Sequence, residues 1–89
     1  MEELQFLLMQ EIGMPLDPIS RSFHADGVWR DEDFCRELRS MDDQELIKEL
    51  SKRARELVRK KNLTVRTDDF WLAVTKTAAQ IRSGNPSNG

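Results

Sequence analysis

With 89 residues, of which 38% are hydrophobic and 34% are charged, the chain is long enough for one small domain and leaves little apolar material for a deep pocket. Its formal net charge of −2 creates no overall cationic field that would attract nucleic acid or an anionic membrane. The single cysteine, Cys35, excludes an internal disulfide framework and a multi-cysteine zinc site, and it predicts a reducing, cytoplasmic setting.

Residues 2–12 are predicted to form the first helix, which ends at Gly13. The apolar stripe of this helix consists of Leu4, Leu7, Leu8 and Ile12. Phe6 and Met9 flank the stripe, so the apolar surface is wider than one packing face requires. Such a helix is either enclosed by the rest of the domain or shared with a partner. Because the apolar run is too short to cross a bilayer and follows two glutamates, we expect it to be part of the fold rather than a membrane or targeting segment.

Residues 13–30 contain two of the three prolines and two of the four glycines. Asp17 followed by Pro18 is typical of a helix N-cap with proline at the first helical position, which predicts a short helix over residues 18–23. The Ala-Asp-Gly sequence at 25–27 predicts a turn. The apolar residues of this segment are Met14, Leu16, Ile19, Phe23, Val28 and Trp29. They are too many for a solvated linker, so we expect an ordered loop that closes over the core.

Residues 31–61 contain no proline or glycine, yet their apolar pattern is not that of one helix. At about 100° per residue, the apolar residues of the first part would point away from those of the second part in a straight helix. The first set is Phe34, Leu38 and Met41, and the second is Leu46, Ile47, Leu50, Ala54, Leu57 and Val58. We therefore predict a break at residues 40–42, between a short helix over 31–39 and a longer helix over 43–61.

Typical capping residues stand at the ends of these predicted helices. Asp42 is suited to cap the longer helix, with Glu45 at its third position, and Ser40 is the alternative cap. Asn62 is suited to the left-handed cap at the end of that helix. Thr67 is the predicted N-cap of a last helix over residues 68–82. The predicted inner face of that helix consists of Phe70, Ala73, Val74, Thr77, Ala78 and Ile81.

The predicted fold class is therefore all-α. Four or five helices, with an ordered loop containing proline and glycine after the first, form a single small bundle over residues 1–83. A short extended connector at residues 63–65 separates the last two helices, and residues 84–89 are predicted to form a flexible tail.

The acidic residues cluster where helices are predicted to begin. The runs are Asp31-Glu32-Asp33, Asp42-Asp43-Glu45 and Asp68-Asp69. Because negative charge stabilises the first turn of a helix, we interpret them as helix starts rather than as a metal or acid–base site. His24 has no neighbour at metal-ligand spacing, and Cys35 follows Phe34 in an apolar stripe. We expect no catalytic residue, metal, cofactor or small-molecule substrate, since an enzyme would need at least two acidic runs to converge in one cleft.

A ridge of basic residues is predicted on the longer helix and just after it. Its members are Lys48, Lys52, Arg55, Arg59, Lys60, Lys61 and Arg66, the first four at i, i+4, i+7 and i+11. One interpretation is a solvated face balanced by Glu49 and Glu56. The other is a docking surface for an acidic partner, either a phosphate backbone or an acidic protein. Few aromatic residues lie within the ridge, which disfavours base stacking.

Residues 53–76, RARELVRKKNLTVRTDDFWLAVTK, resemble the helix–loop–helix of histone-fold proteins and the C-terminal helical lid of AAA-type ATPases. The positions that match the shared pattern are Val65, Thr67, Asp69, Phe70, Ala73 and Val74. The first resemblance implies a handshake dimer that binds DNA or protein, and the second implies a regulatory fragment that packs on an ATPase. Neither implies ATPase activity, because the sequence has no phosphate-binding glycine loop.

The sequence thus predicts a non-catalytic protein–protein interaction module, a small regulatory or adaptor protein that binds another protein or pairs with itself as a homodimer. The predicted contact residues are Phe6, Met9, Trp29 and Trp71, because exposed large aromatic and Met side chains near arginines are typical of binding hot spots. The alternative is a nucleic-acid-binding regulator that uses the basic face of the helix over 43–61. Salt dependence of duplex binding distinguishes the two.

Overall fold

The structure, a computed structural model, describes residues 3–20, 22–25 and 27–83. In chain order the elements of the described residues are α1 (Glu3–Glu11), β1 (Leu16–Asp17), β2 (Ser22–Phe23), α2 (Glu32–Ser40), α3 (Asp43–Lys60) and α4 (Thr67–Ser83). The prediction of a mostly helical fold is confirmed. The small two-stranded sheet was not predicted, so the fold is not purely α. The predicted tail over 84–89 lies outside the described residues.

Helix α1 is enclosed by the rest of the domain. It lies against α3 and α4, and Leu4, Leu8 and Met9 are buried. Phe6 is half-buried, and its ring meets that of Phe23 edge to face with centroids 5.1 Å apart. Of the two expectations for this helix, enclosure is therefore the one that the structure shows for the described residues.

The helix predicted over residues 18–23 is wrong, because a β-hairpin occupies this part of the chain. Strands β1 and β2 are antiparallel, with Leu16 opposite Phe23. The carboxylate of Asp17 accepts a hydrogen bond from the backbone amide of Ile19 at 2.9 Å, which forms a turn of the Asx type instead of a helix cap. Pro18 suits the second position of such a turn as well as the first position of a helix, so the Asp-Pro signal was ambiguous.

The apolar residues around the hairpin fall into two groups. Met14, Phe23 and Trp29 are buried in the core. Leu16, Ile19 and Val28 are 39%, 93% and 79% exposed, so these three apolar residues do not pack inward.

The predicted break between the second and third helices is confirmed. Helix α2 ends at Ser40, and α3 begins at Asp43. The side chain of Asp42 accepts a hydrogen bond from the amide of Glu45 at 2.8 Å, which is the N-cap that the sequence indicates. Leu38 and Leu46 are both buried, which the break allows because each helix takes its own orientation to the core.

The connection from α3 to α4 also follows the prediction closely. Asn62 has the left-handed φ of 54° expected of the cap. Helix α4 includes Thr67 as its first residue, since the amide of Phe70 donates to the carbonyl of Arg66. The predicted N-cap is therefore displaced by one residue. The predicted inner face is confirmed: Ala73, Val74, Thr77, Ala78 and Ile81 are buried, and Phe70 is half-buried.

Arg82 joins the end of α4 to the junction of α2 and α3. Its guanidinium donates to the carbonyl of Arg39 at 2.9 Å and to that of Met41, and it lies 3.3 Å from the carboxylate of Asp43. These bonds satisfy carbonyls at the end of α2, which have no partner within their own helix.

Among residues 3–83, with 21 and 26 set aside, no helix combines the length and hydrophobicity needed to cross a membrane.

Candidate interaction groove

A groove runs between α3 and α4. One half has a volume of about 370 Å³ and is lined by Arg55, Val58, Arg59, Val65, Thr67, Phe70 and Trp71. The other half has a volume of about 520 Å³ and is lined by Asp43, Gln44, Ile47, Lys48, Ser51, Arg55 and Trp71. Because the two halves share Arg55 and Trp71, we treat them as one surface and call it the α3–α4 groove.

Trp71 stands at the centre of this groove and is 40% exposed. It follows Phe70, which begins the inner stripe of α4, and a step of about 100° around the helix brings Trp71 to the rim of the core. The two rings meet edge to face, with centroids 5.2 Å apart. The next residue, Leu72, is 42% exposed. Helix α4 therefore presents two adjacent large apolar side chains to solvent.

Partly buried aliphatic residues extend the apolar surface of the groove. Ile47 and Val58 come from α3, and Val65 comes from the connector. Each packs against the core with part of its side chain and leaves the rest accessible. The groove is thus continuous with the hydrophobic core.

Cationic side chains border this apolar surface. The guanidinium of Arg55 lies over the rings of Phe70 and Trp71, 5.7 Å and 5.9 Å from their centroids. Arg59 and Lys48 are exposed. In the part of the chain that the structure describes, none of these three cations has a carboxylate within ion-pairing distance.

The four predicted contact residues have different positions. Trp71 lies in the groove, as described. Met9 is 1% exposed and Trp29 is 4% exposed, so neither presents its side chain to a partner in this conformation. Phe6 is half-buried against Phe23 and lies outside the groove.

The expectation that Trp29 is partly exposed is wrong because its polar end has partners inside the domain. Its indole N–H donates to the carbonyl of Ala25 at 2.8 Å, and the guanidinium of Arg39 lies 5.7 Å from its ring centroid. Helical spacing gives no sign of these contacts, because they lie within a loop and between that loop and α2.

All seven residues of the predicted basic ridge are exposed. The structure divides them by position. Lys48, Arg55 and Arg59 line the groove, whereas Lys52, Lys60, Lys61 and Arg66 do not. The sequence interpretation assigned Ile47 and Val58 only to the core, although both also line the groove. Leu72 is exposed next to Trp71, on the side of α4 away from the inner stripe, and does not line the groove.

The acidic runs have the structural positions expected of helix starts. Asp31 and Asp42 cap α2 and α3 through the amides of Phe34 and Glu45, at 3.1 Å and 2.8 Å. Asp68 belongs, with its neighbour Asp69, to the first turn of α4. Within residues 3–20, 22–25 and 27–83, no three His, Cys, Asp or Glu side chains come close enough together to hold a metal ion.

The two remaining candidates for chemistry lie apart from the groove. His24 is 3.8 Å from Asp17 on the exposed hairpin. Cys35 is 6% exposed, and burial raises the pKa of its thiol above the ordinary value of 9.0. Because the thiolate is the nucleophilic form, this environment suits a structural thiol.

Comparisons with protein-family models, with curated proteins and with solved structures give no match to this chain. The resemblance of residues 53–76 to histone-fold proteins and to AAA-type lids therefore stays a prediction.

Proposed function

We propose that this chain is a non-catalytic protein–protein interaction module that docks a partner protein in the α3–α4 groove. One observation carries the proposal: Trp71, which is 40% exposed, adjoins the aliphatic surface of Ile47, Val58 and Val65. Exposed large side chains scattered singly are common, but a contiguous apolar surface with a cationic border is typical of a binding site.

The residue types of the groove support the same function. Tryptophan and arginine are the residues that most often dominate binding energy, and Trp71 and Arg55 are adjacent here. The groove is open along its length and has no convergent acid, base or nucleophile among its lining residues. Its chemistry suits recognition of a surface rather than a reaction. A regulatory or adaptor role in the cytoplasm, where the lone Cys35 stays reduced, is part of this proposal.

Photo-crosslinking in living cells tests the proposal at residue resolution. A benzophenone amino acid replaces Gln44, an exposed residue that lines the groove, and in a separate variant it replaces Val28, which is also exposed but lies outside the groove. We expect a discrete adduct from position 44 and none of the same mass from position 28. Adducts of equal yield from both positions, or adducts from position 28 alone, would contradict the groove as the docking surface.

The second candidate function is that of a nucleic-acid-binding regulator. The observation that favours it is the exposure of all seven ridge residues along and beyond α3. If the ridge binds phosphates, the affinity for a nucleic-acid duplex falls steeply as the salt concentration rises. The slope of this fall depends on the number of phosphate contacts. Lys52→Glu and Arg59→Glu would weaken duplex binding equally, since both belong to the ridge. Absence of duplex binding at low salt would remove this candidate.

Self-association remains a third use of the same surface, and it is the one that the histone-fold resemblance implies. Sedimentation of the purified chain tests it directly. A homodimer that Trp71→Ala converts to monomer would assign the groove to a second copy of the chain.

A further inference from the structure

We propose that the segment docking in the α3–α4 groove is an acidic amphipathic helix of a partner protein, about four turns long. This inference rests on the proposed function and adds the chemical class of the partner. An amphipathic helix in an apolar groove is a recurrent mode of recognition, in which apolar anchors recur at every third or fourth residue.

The charge of the groove selects an acidic partner. Three cations line it, Lys48, Arg55 and Arg59, against one anion, Asp43. That anion already faces the guanidinium of Arg82, 3.3 Å away. The groove is therefore cationic on a chain whose formal net charge is −2. Complementary charge at the border of an interface speeds association and excludes partners of the wrong sign.

Arg55 is already positioned to bind a carboxylate. Its guanidinium rests over the rings of Phe70 and Trp71, which restricts its side chain before any partner arrives. A restricted guanidinium loses less entropy on binding, and its planar fork can donate two parallel hydrogen bonds to one carboxylate. An apolar side chain that packs on Trp71 would bring a neighbouring Glu or Asp of the partner into reach of this fork.

The length of the groove sets the length of the segment. The residues of α3 that line it extend from Asp43 to Arg59 at intervals of one to four residues along one face. At a rise of about 1.5 Å per residue, this face is about 24 Å long, which matches a partner helix of roughly 16 residues.

A second copy of the chain fits the groove poorly. In a symmetric dimer the same patch faces itself, so the three cations of one copy would face a patch with the same excess of positive charge. Its one lining carboxylate, Asp43, already pairs with Arg82. Nucleic acid fits poorly as well. Arg55 lies over the aromatic rings on which bases would stack, and the aliphatic residues beside them offer no hydrogen bonds to base edges.

The test is a selection from a display library of random 16-residue segments with no charge bias, panned against the folded chain. We expect the enriched segments to carry a net negative charge and apolar residues at helical spacing. Enrichment of neutral or basic segments, or no enrichment over a Trp71→Ala chain, would overturn the proposal.

Charge reversal then locates the interaction. Affinities of the enriched segments are measured for Arg55→Glu, Arg59→Glu and, as the matched control, Lys52→Glu, which makes the same charge change on α3 outside the groove. We expect a loss of roughly tenfold or more for the two groove variants and less than about twofold for the control. Equal losses for all three variants would overturn a site in the groove and indicate a general electrostatic effect.

The outcome can be separated from that of the proposed function. Cross-linking at position 44 together with enrichment of non-acidic segments would leave the groove as a docking surface and overturn only the acidic partner. Absence of cross-linking at position 44 would overturn both.

Discussion

At the scale of the residue, the carboxylates of this chain are used to begin structural elements. The side chains of Asp31 and Asp42 each accept a hydrogen bond from the backbone amide three residues later in the chain. The side chain of Asp17 accepts a hydrogen bond from the amide two residues later, in the hairpin turn. Each bond satisfies an amide that has no partner at the start of a helix or turn. In the described part of the chain, these capping carboxylates are dispersed because the starts of the elements are dispersed.

The cap at Asp42 gives the first prediction. Asp42→Ala removes the acceptor for the amide of Glu45 and is expected to lower the free energy of unfolding by about 1 kcal/mol. Asp42→Asn is the matched control, because its side-chain oxygen can still accept that bond. Urea denaturation of the three proteins measures the difference. An Ala variant as stable as the Asn variant would show that the cap does not contribute to stability.

The turn at Asp17 predicts a dependence of stability on pH. The backbone amide of Ile19 is the main cause that holds the pKa of the Asp17 carboxyl below its ordinary value of 3.8. A group whose pKa is depressed in the folded state stabilises the fold above its unfolded pKa, and that contribution is lost as the pH falls through the folded value. The stability advantage of the native chain over Asp17→Asn is therefore expected to shrink below pH 3.8.

Urea midpoints of the native chain and of Asp17→Asn, measured between about pH 6 and pH 2, test this dependence. The Asn side chain retains an oxygen acceptor but does not titrate, so it isolates the effect of the charge. A difference in midpoint that stays constant over the whole range would contradict the prediction.

At the scale of the element, one helix ends and the next begins where the apolar residues change from one face of the helix to the other. The side chain of Arg82 then joins α4 to this junction. The α2–α3 junction lies at residues 41–42, and Arg82 of α4 donates to two carbonyls around it. Helix α4 is thereby tied to the end of α2 as well as to the core.

Substitution of Arg82 tests the connection. Arg82→Met keeps much of the side-chain length but removes the donors to the carbonyls of Arg39 and Met41, and is expected to cost about 1–3 kcal/mol of stability. Asp43→Asn, which breaks only the ion pair, is expected to cost less than about 1 kcal/mol because Asp43 is highly exposed. Thermal unfolding of both variants gives the comparison. Equal losses would mean that the ion pair, rather than the carbonyl bonds, holds the elements together.

The sequence allowed the elements to be predicted where local chemistry determines them. Asp42 marked the start of α3, and Asn62 marked its end, because caps depend on residues close in the chain. Over residues 18–23 the local signal was ambiguous, since Asp17 and Pro18 suit both a helix start and a turn. The pairing of Leu16 with Phe23 makes this segment a hairpin. Hydrophobic periodicity over so few residues does not reveal such pairing.

The groove could be predicted only in part, because it is made by two helices side by side. The rim position of Trp71 followed from its place beside Phe70 on α4. The burial of Trp29 did not follow from spacing, because its partner is a loop carbonyl. Likewise, the apolar pattern of α3 identified Ile47 as a residue of the inner face but did not show that α4 leaves part of it open.

At the scale of the whole molecule, the fold separates a closed core from an open groove. Helix α1 covers its apolar residues against α3 and α4, so the wide apolar surface predicted for it is used in folding. On the described helices, Trp71 and Leu72 of α4 are the large apolar side chains that are about two-fifths exposed, and Ile47 and Val58 of α3 are partly accessible. Because exposed residues contribute little to the stability of the fold, their identity can be determined by binding instead.

The same substitution at two leucines tests this separation. Leu72→Ala is expected to lower the free energy of unfolding by less than about 1 kcal/mol, since the side chain is half in solvent. Leu50→Ala, at a fully buried position, is expected to cost about 2–5 kcal/mol. Urea denaturation measures the free energy of unfolding of both variants. A Leu72→Ala chain that is destabilised as much as the Leu50→Ala chain would contradict the separation.

The most direct test of the account uses the two tryptophans as internal probes. In a ¹⁵N-labelled chain the indole N–H groups of Trp29 and Trp71 give separate signals, which Trp71→Phe assigns. Addition of the partner identified by cross-linking is expected to shift the indole signal of Trp71, because that side chain is exposed. The signal of Trp29 is expected to stay unchanged, because its buried indole N–H donates a hydrogen bond to the carbonyl of Ala25. A Trp71 signal that stays unchanged at saturating partner would contradict docking in the α3–α4 groove.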